Sequence, residues 1–228
     1  MPTLKDPEFG SIILRRSRLA RSIRLRITNS GIISVSLPLR TPLFIVKQFL
    51  NESRNNIRHV LTDTNNKKPM YKVGDVIGKT HTLKFTSAAT YGHFIEQSTL
   101  VVHHPPEVRD DLLQAEIQKG IIKALRLQAK AYLPRRLTQL ALLGNFTYTK
   151  LRFSSAGTRW GSCSSNGTIS LNIWLMQLPH ELIDYVILHE LCHTKQMNHS
   201  SMFWDLVSEY CPEYKAYRQQ LKQYHPNS

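Results

Sequence analysis

His189, Glu190 and His193 stand in the order H-E-x-x-H. Residues four apart lie one above the other on a helix face. A helix here therefore presents two imidazoles to one metal ion at about 2.0–2.1 Å, the usual zinc–nitrogen distance. Glu190, next to the first histidine, projects close to the ion without being needed as a ligand. It can take a proton from zinc-bound water and pass it to a leaving group. The bland alternative is a pair of surface histidines beside an acid. The setting argues against it: Val186-Ile187-Leu188 precede the motif and Leu191 interrupts it, and burying these polar groups in an apolar stripe is costly unless a partner satisfies them.

A third ligand has two candidates. His199 follows His193 after five intervening residues, and Glu209 lies farther on, where a second helix presents it. A turn that swings His199 back needs a residue tolerant of the left-handed conformation, and Asn198 is one; His199 is favoured. The His193–His199 interval equals that of the metzincins, but Gln196 stands where those proteins have glycine, and no methionine turn follows. Cys192 falls off the histidine face and is expected to pack as a small apolar side chain. Cys163 lies nearer the site. Phe203 and Trp204 are expected to pack the next helix against the metal helix. His103, His104 and His180 lack ligand spacing.

Upstream, in the run Arg159–Asn172, Asn166-Gly167 is a strong short-hairpin signal, with Thr168–Asn172 as the returning strand. Only a short link separates this hairpin from the metal helix, so the two should pack together. An edge strand in that position holds an extended peptide by adding it as a further strand. Arg159 and Asn172 are candidates either for positioning a substrate oxygen or for structural hydrogen bonding. Leu178-Pro179-His180-Glu181 opens the metal helix, with proline suited to the first turn and Glu181 and Asp184 toward its positive end.

The earlier chain reads as strands with one helix. Ile23–Ile27 alternates apolar and basic residues, Asn29-Ser30-Gly31 supplies turn chemistry, and Ile32–Leu37 forms the second arm of a hairpin. Thr41-Pro42 opens a helix running to about Leu61. Asn65–Pro69 is a loop, and strands follow at Met70–Val73, Thr80–Thr86 and Phe94–Val102. The double proline in His103-His104-Pro105-Pro106 marks the expected boundary between domains. A helix follows from Glu107 to about Leu133, which Pro134 bends or ends, and Phe146–Phe153 is a strand. The fold class is α+β, with a β-rich domain over residues 1–105 and a second domain over 106–228.

The chain has 228 residues, enough to bury a core without disulfides. Three cysteines do not make a disulfide framework. The N-terminus does not read as a secretion signal, no apolar run approaches the ~20 residues that span a bilayer, and a cytoplasmic location is expected. Thirty Lys and Arg against sixteen Asp and Glu give a charge of +14. Such a field attracts polyanions, and nucleic acid is the natural one. The arginine-rich start (Arg15, Arg16, Arg18, Arg21, Arg24, Arg26) fits that reading and equally fits a solvated strand face protecting a sheet edge.

Arg159-Trp160-Gly161-Ser162-Cys163-Ser164, the run Ile183–His193, Asn198-His199-Ser200 and Phe203-Trp204 resemble the YgjP-like metallopeptidases, relatives of the SprT-like minimal zincins. The strong match covers about residues 150–224, and the arginine-rich strands with Ser36-Leu37-Pro38 before a helix are similar too. The resemblance implies a zincin-like catalytic core with a zinc site of His189, His193 and His199 and Glu190 as acid and base. It also implies peptide or protein substrates, and SprT-like relatives act on proteins attached to DNA. The leading expectation is a zinc metallopeptidase in which Glu190 deprotonates the attacking water and protonates the leaving amine. Two alternatives are a metal-dependent phosphoanhydride hydrolase, against which no glycine-rich phosphate loop is found, and a basic nucleic-acid-binding module with a structural metal, against which three ligands leave an open position.

Overall fold

The structure is a computed structural model that describes residues 3–27, 31, 33–66 and 71–226. The chain is α+β and divides into two compact units, Met1–Pro69 and Met70–Asn227.

In the first unit, β1 (Thr3–Asp6), β2 (Gly10–Ser17), β3 (Arg24–Ile27) and β4 (Ile33–Pro38) are followed by helices α1 (Leu43–Glu52) and α2 (Arg54–Asn66). The sheet order is β1-β2-β4-β3, with β2 and β4 parallel. β3 and β4 form the expected antiparallel pair. Of the expected turn between them, Asn29-Ser30 lies outside the described residues, as does Ile32, while Gly31 has φ 77°. Inward-facing Ile12, Leu14, Val35 and Leu37 meet Val46 and Leu50 of α1 and Ile57 of α2. The expected single helix is two, broken at Ser53. The break is slight, because Ile57 lies about three helical turns beyond Val46 and so stays on the same apolar stripe. Asn65 and Asn66 close α2 rather than opening a loop; Lys67–Met70 lie outside the described residues. All six arginines of the basic start are exposed.

The second unit begins with β5 (Val76–Ile77), β6 (His81–Ser87), β7 (Gly92–Glu96) and β8 (Thr99–His104), in sheet order β5-β6-β8-β7. No strand covers Tyr71–Val73. Asp75 instead accepts the Lys72 N–H at 2.7 Å and closes a turn that Gly74 completes at φ 89°. The expected strand Phe94–Val102 is a hairpin, turning where Gln97 takes φ 51°.

A long helix, α3 (Asp110–Leu143), crosses the unit. Then come β9 (Lys150–Ser154), β10 (Gly161–Cys163), β11 (Thr168–Asn172), a 3-10 turn at Ile173–Gln177, and helices α4 (His180–Cys192), α5 (Ser201–Tyr210) and α6 (Tyr214–Leu221). The double proline links β8 to α3 within one core. Leu83, Leu100 and Val102 pack with Ile117, Ile121 and Leu125, and the same apolar cluster continues through Leu133 and Leu137 to Leu182, Ile183 and Ile187 of α4. The chain therefore divides at Pro69 and not at residue 105. α3 also runs through Pro134. A proline inside a helix costs about 3 kcal/mol, but Leu133 and Leu137 on either side are fully buried, and that burial outweighs the penalty. Asn145, at φ 48°, ends the helix, with the Phe146 N–H returning to the Ala141 carbonyl at 2.8 Å. Phe146 packs its ring on Tyr210, and the expected strand there is confined to β9.

Candidate metal centre

α4 opens at Pro179 and carries Leu182, Ile183, Val186, Ile187 and Leu191 into the core. A bidentate ion pair joins Asp184 to Arg136 of α3, with both N···O distances 2.7 Å, and ties the first half of the helix down. His189 and Glu190 lie in its last turn, and His193 is the residue that ends it.

The chain then turns back through Thr194–Gln196. Thr194 N–H bonds the Leu191 carbonyl, and both Lys195 and Gln196 N–H bond that of Cys192. Asn198 was expected to supply a left-handed residue here, but among the described residues it has no positive φ. The carbonyl-capping turn does the reversal instead. His199 thereby returns to the helix, and its Nε2 lies 3.2 Å from His189 Nε2. One donor nitrogen from each of His189, His193 and His199 lies within 4.8 Å of the others. Two ligands on a tetrahedral ion at about 2.0–2.1 Å stand about 3.3 Å apart, so the spacing suits a small divalent ion with imidazole donors. His193 Nδ1 sits 3.0 Å from the Gln196 carbonyl; donating there fixes the tautomer that leaves Nε2 free. Glu209 is exposed on α5 and outside this group. His180 instead meets Tyr132 at 3.0 Å.

Aromatic packing holds the rings. Phe203 stacks on His193 with centroids 4.5 Å apart and meets His189 and His199 edge-on at 5.0 and 4.8 Å. Trp204 stacks on His199, Tyr214 stacks on Trp204, and the Arg218 guanidinium lies 4.8 Å over the Trp204 ring. Phe203 and Trp204 do pack α5 against α4, as expected, but they do it through the imidazoles themselves. Burial pushes the His189 pKa down to about 3, with His193 and His199 adding to the effect, and burial lowers that of His193 as well. Both shifts favour the neutral ring, which has a lone pair to offer a metal.

Glu190 is buried. Burial pushes its carboxyl up to about 8, against the Arg159 charge and the Cys163 N–H, which pull it down. The hairpin forms as expected: β10 pairs antiparallel with β11, with Gly161 opposite Leu171, and Gly167 has φ 75° in the turn. β10 is the edge strand of the order β10-β11-β9. Asn172 N–H bonds the Trp160 carbonyl and Ser164 N–H bonds that of Thr168. Hydrogen-bonded pairs alternate along such a ladder, so Trp160, Ser162 and Ser164 turn their backbone groups toward β11. Gly161 and Cys163 turn theirs to the free edge, where the Cys163 N–H reaches Glu190.

Gly161 was not singled out by its sequence. A Cβ there would stand 2.7 Å from Glu190 Cγ and Oε1, and only the missing side chain lets strand and helix approach this closely. Asn172 is fully buried and donates to the Ala156 and Arg159 carbonyls at 2.6 and 2.8 Å. It anchors the loop before β10, and its role is structural. Arg159 lines the cleft with Gly161, His189, Glu190, His193 and His199. Cys192 is buried in the core, as expected, its thiol pushed up to about 12 chiefly by burial.

Among solved structures, the chain is similar to the metallopeptidase zymogen of Pyrococcus abyssi abylysin, at 25% identity over 40% of this chain and 91% of that one, with a TM-score of 0.37. It is also similar to the metallopeptidase zymogen of Methanocaldococcus jannaschii jannalysin, at 24% identity over 38% of this chain and 93% of that one, with a TM-score of 0.33. No curated protein matches the chain. No helix among the described residues is long and apolar enough to cross a membrane. The family described as YgjP-like, metallopeptidase domain, matches residues 21–224, which takes in the histidine cluster, Glu190 and the hairpin against them, and the chain belongs to that family.

Proposed function

We propose that the protein is a zinc metallopeptidase in which His189, His193 and His199 hold the metal and Glu190 carries the proton. The observation that carries this reading is the convergence of three imidazoles beside a buried carboxylate on a free strand edge. Zinc, when bound, supplies a Lewis acid at an open coordination position. The charge of a bound metal would hold Glu190 ionised against its burial, so that it accepts a proton from the attacking water and returns it to the leaving amine. The Cys163 N–H and the close approach of Gly161 hold the carboxylate in place for that transfer. With the Cys163 N–H engaged by Glu190, the remaining outward groups of β10, those of Gly161 and the Cys163 carbonyl, align an extended peptide as an added strand. The basic surface, including the exposed arginines of β2 and β3 and the turn between them, suits contact with nucleic acid, which makes proteins bound to nucleic acid the favoured substrates. Three free cysteines suit a reducing, cytoplasmic setting.

The test is cleavage of an unfolded basic protein by the zinc-loaded chain, with and without single-stranded DNA, beside Glu190→Gln. Loss of cleavage by about 10²-fold or more in the variant, with zinc retained, is expected. Stimulation by DNA tests the nucleic-acid part separately. Zinc bound without cleavage in any condition overturns the peptidase reading, and phosphate release from nucleoside triphosphates is then the next assay.

A further inference from the structure

The cleft over the histidines continues onto the open face of the three-stranded sheet. A second cleft of about 550 Å³ lies there, lined by Arg152, Arg159, Ser162, Thr168 and Ser170 among others. The two clefts share Arg159, Ser162 and Cys163. Strand register sets Arg152 beside Ser170 and Ser170 beside Ser162, one row across β9, β11 and β10. Side chains alternate between faces along a strand, while cross-strand neighbours share one. This row therefore lies on the face opposite the one where Gly161 meets Glu190. Ser170 and Ser162 are short, so nothing tall stands between Arg152 and the free edge of β10. Neither Arg152 nor Arg159 forms an ion pair among the described residues.

A peptide added to the β10 edge extends the same row. Its residue opposite Ser162 sends its side chain to the serine face, about 14 Å from the Arg152 backbone at three strand spacings. An arginine and a glutamate span that distance between them over the two serines, and Arg159 lies at the mouth. A carboxylate there gains charge-assisted hydrogen bonds, while a lysine meets like charge. We propose that this cleft is a specificity subsite that takes the acidic side chain of the substrate residue paired with Ser162, with Arg152 as its determinant. The inference rests on the peptidase reading and deepens it.

The full-length zinc-loaded chain is incubated with a random peptide pool, and the cut sites are read by mass spectrometry. Asp and Glu are expected to be enriched at one position flanking the cut, with kcat/KM about tenfold above the alanine peptide. Within each variant, the ratio of acidic to neutral cleavage is the readout. Arg152→Ala flattens it, Arg152→Lys largely restores it, and Arg152→Glu reverses it in favour of Lys and Arg. Binding of labelled acidic and neutral peptides to the Glu190→Gln chain gives the same order without turnover. Cleavage with no acidic enrichment overturns the subsite, as does an enrichment that Arg152→Ala leaves intact. So does competition by a single-stranded oligonucleotide, lost in Arg152→Ala, with no side-chain preference; the face is then a polynucleotide track. Absence of cleavage of any peptide by the wild type overturns the peptidase reading instead, and the binding series still tests the subsite.

Discussion

Gly161→Ala adds one methyl group at the tightest approach in the site. The new carbon would sit 2.7 Å from Glu190 Cγ and Oε1 and 2.9 Å from Cδ. Non-bonded carbons settle at about 3.5–4.0 Å, so either the carboxylate or β10 must retreat by roughly 0.8 Å or more. Gly161 has no positive φ, so the substitution adds no backbone strain, and the displacement is its whole effect. A misplacement of about 1 Å can cost about 10²-fold in rate, equivalent to about 2.7 kcal/mol of barrier. The expected result is a fall of that size in kcat on a fluorogenic peptide, with zinc content unchanged because the three atoms nearest the added methyl all belong to Glu190 and none to an imidazole. Overpacking of this kind lowers stability by about 1–3 kcal/mol, and the flexible glutamate keeps the loss toward the low end. Gly157→Ala is the control: its methyl meets nothing nearer than the Pro226 carbonyl at 3.8 Å. If Gly161→Ala keeps its rate within about threefold of wild type, with normal zinc content, the position of Glu190 against β10 does not govern catalysis and the reasoning fails.

His199→Ala is expected to weaken zinc binding by more than the roughly 10–100-fold that changing a residue behind a ligand brings, while Glu209→Gln leaves it unchanged; competition with a chromophoric chelator distinguishes the two, and the opposite order would exchange their roles. Phe203→Ala removes a fully buried ring that touches all three imidazoles, and urea denaturation should record a loss of about 3–5 kcal/mol; a loss under about 1 kcal/mol would mean that the rings hold themselves. In the first unit, Asp6 resists burial's upward push because the Glu8 and Phe9 N–H groups and Arg54 hold its carboxyl below its usual value. A depressed folded pKa contributes stability that is present above the unfolded value and lost as pH falls through the folded one. Melting of the wild type should therefore fall below about pH 4 more steeply than that of Asp6→Asn, and parallel curves would remove Asp6 from the acid response.

The chemistry was legible where a short interval dictates geometry. His189 and His193 share a helix face at any helix length, and Asn166-Gly167 makes a hairpin from its own backbone preferences. What escaped the sequence depends on residues far apart in the chain. Pro134 reads as a helix end because its missing N–H is local, whereas the burial of Leu133 and Leu137 that overrides it is not. Gln97 takes a left-handed turn with no glycine to announce it, which hid the division between β7 and β8. Pro105-Pro106 looks like a boundary until Leu100 and Val102 are seen against Ile117 and Ile121. Gly161 carries no local signal beyond its neighbour Trp160, since its reason is a carboxylate on another element.

The same contrast explains how a buried acid and three histidines are tolerated at one point. Glu190 and His193 are buried and His189 partly so, while His199 is exposed; leaving the buried groups unpaired costs several kcal/mol, so each of those needs a constraint that the core alone does not supply. Arg136 fixes the start of α4 through Asp184, the Gln196 carbonyl fixes one face of His193, and Phe203 closes on all three rings. His189 Nδ1 is buried with no hydrogen-bond partner among the described residues. Its ring is held by packing rather than by a polar partner. What orients His189 is then the aromatic collar on one side and whatever its Nε2 shares with His199 on the other. That makes α5, together with Tyr185 of α4 at 6.0 Å from the His189 ring, an element on which the geometry of the centre depends.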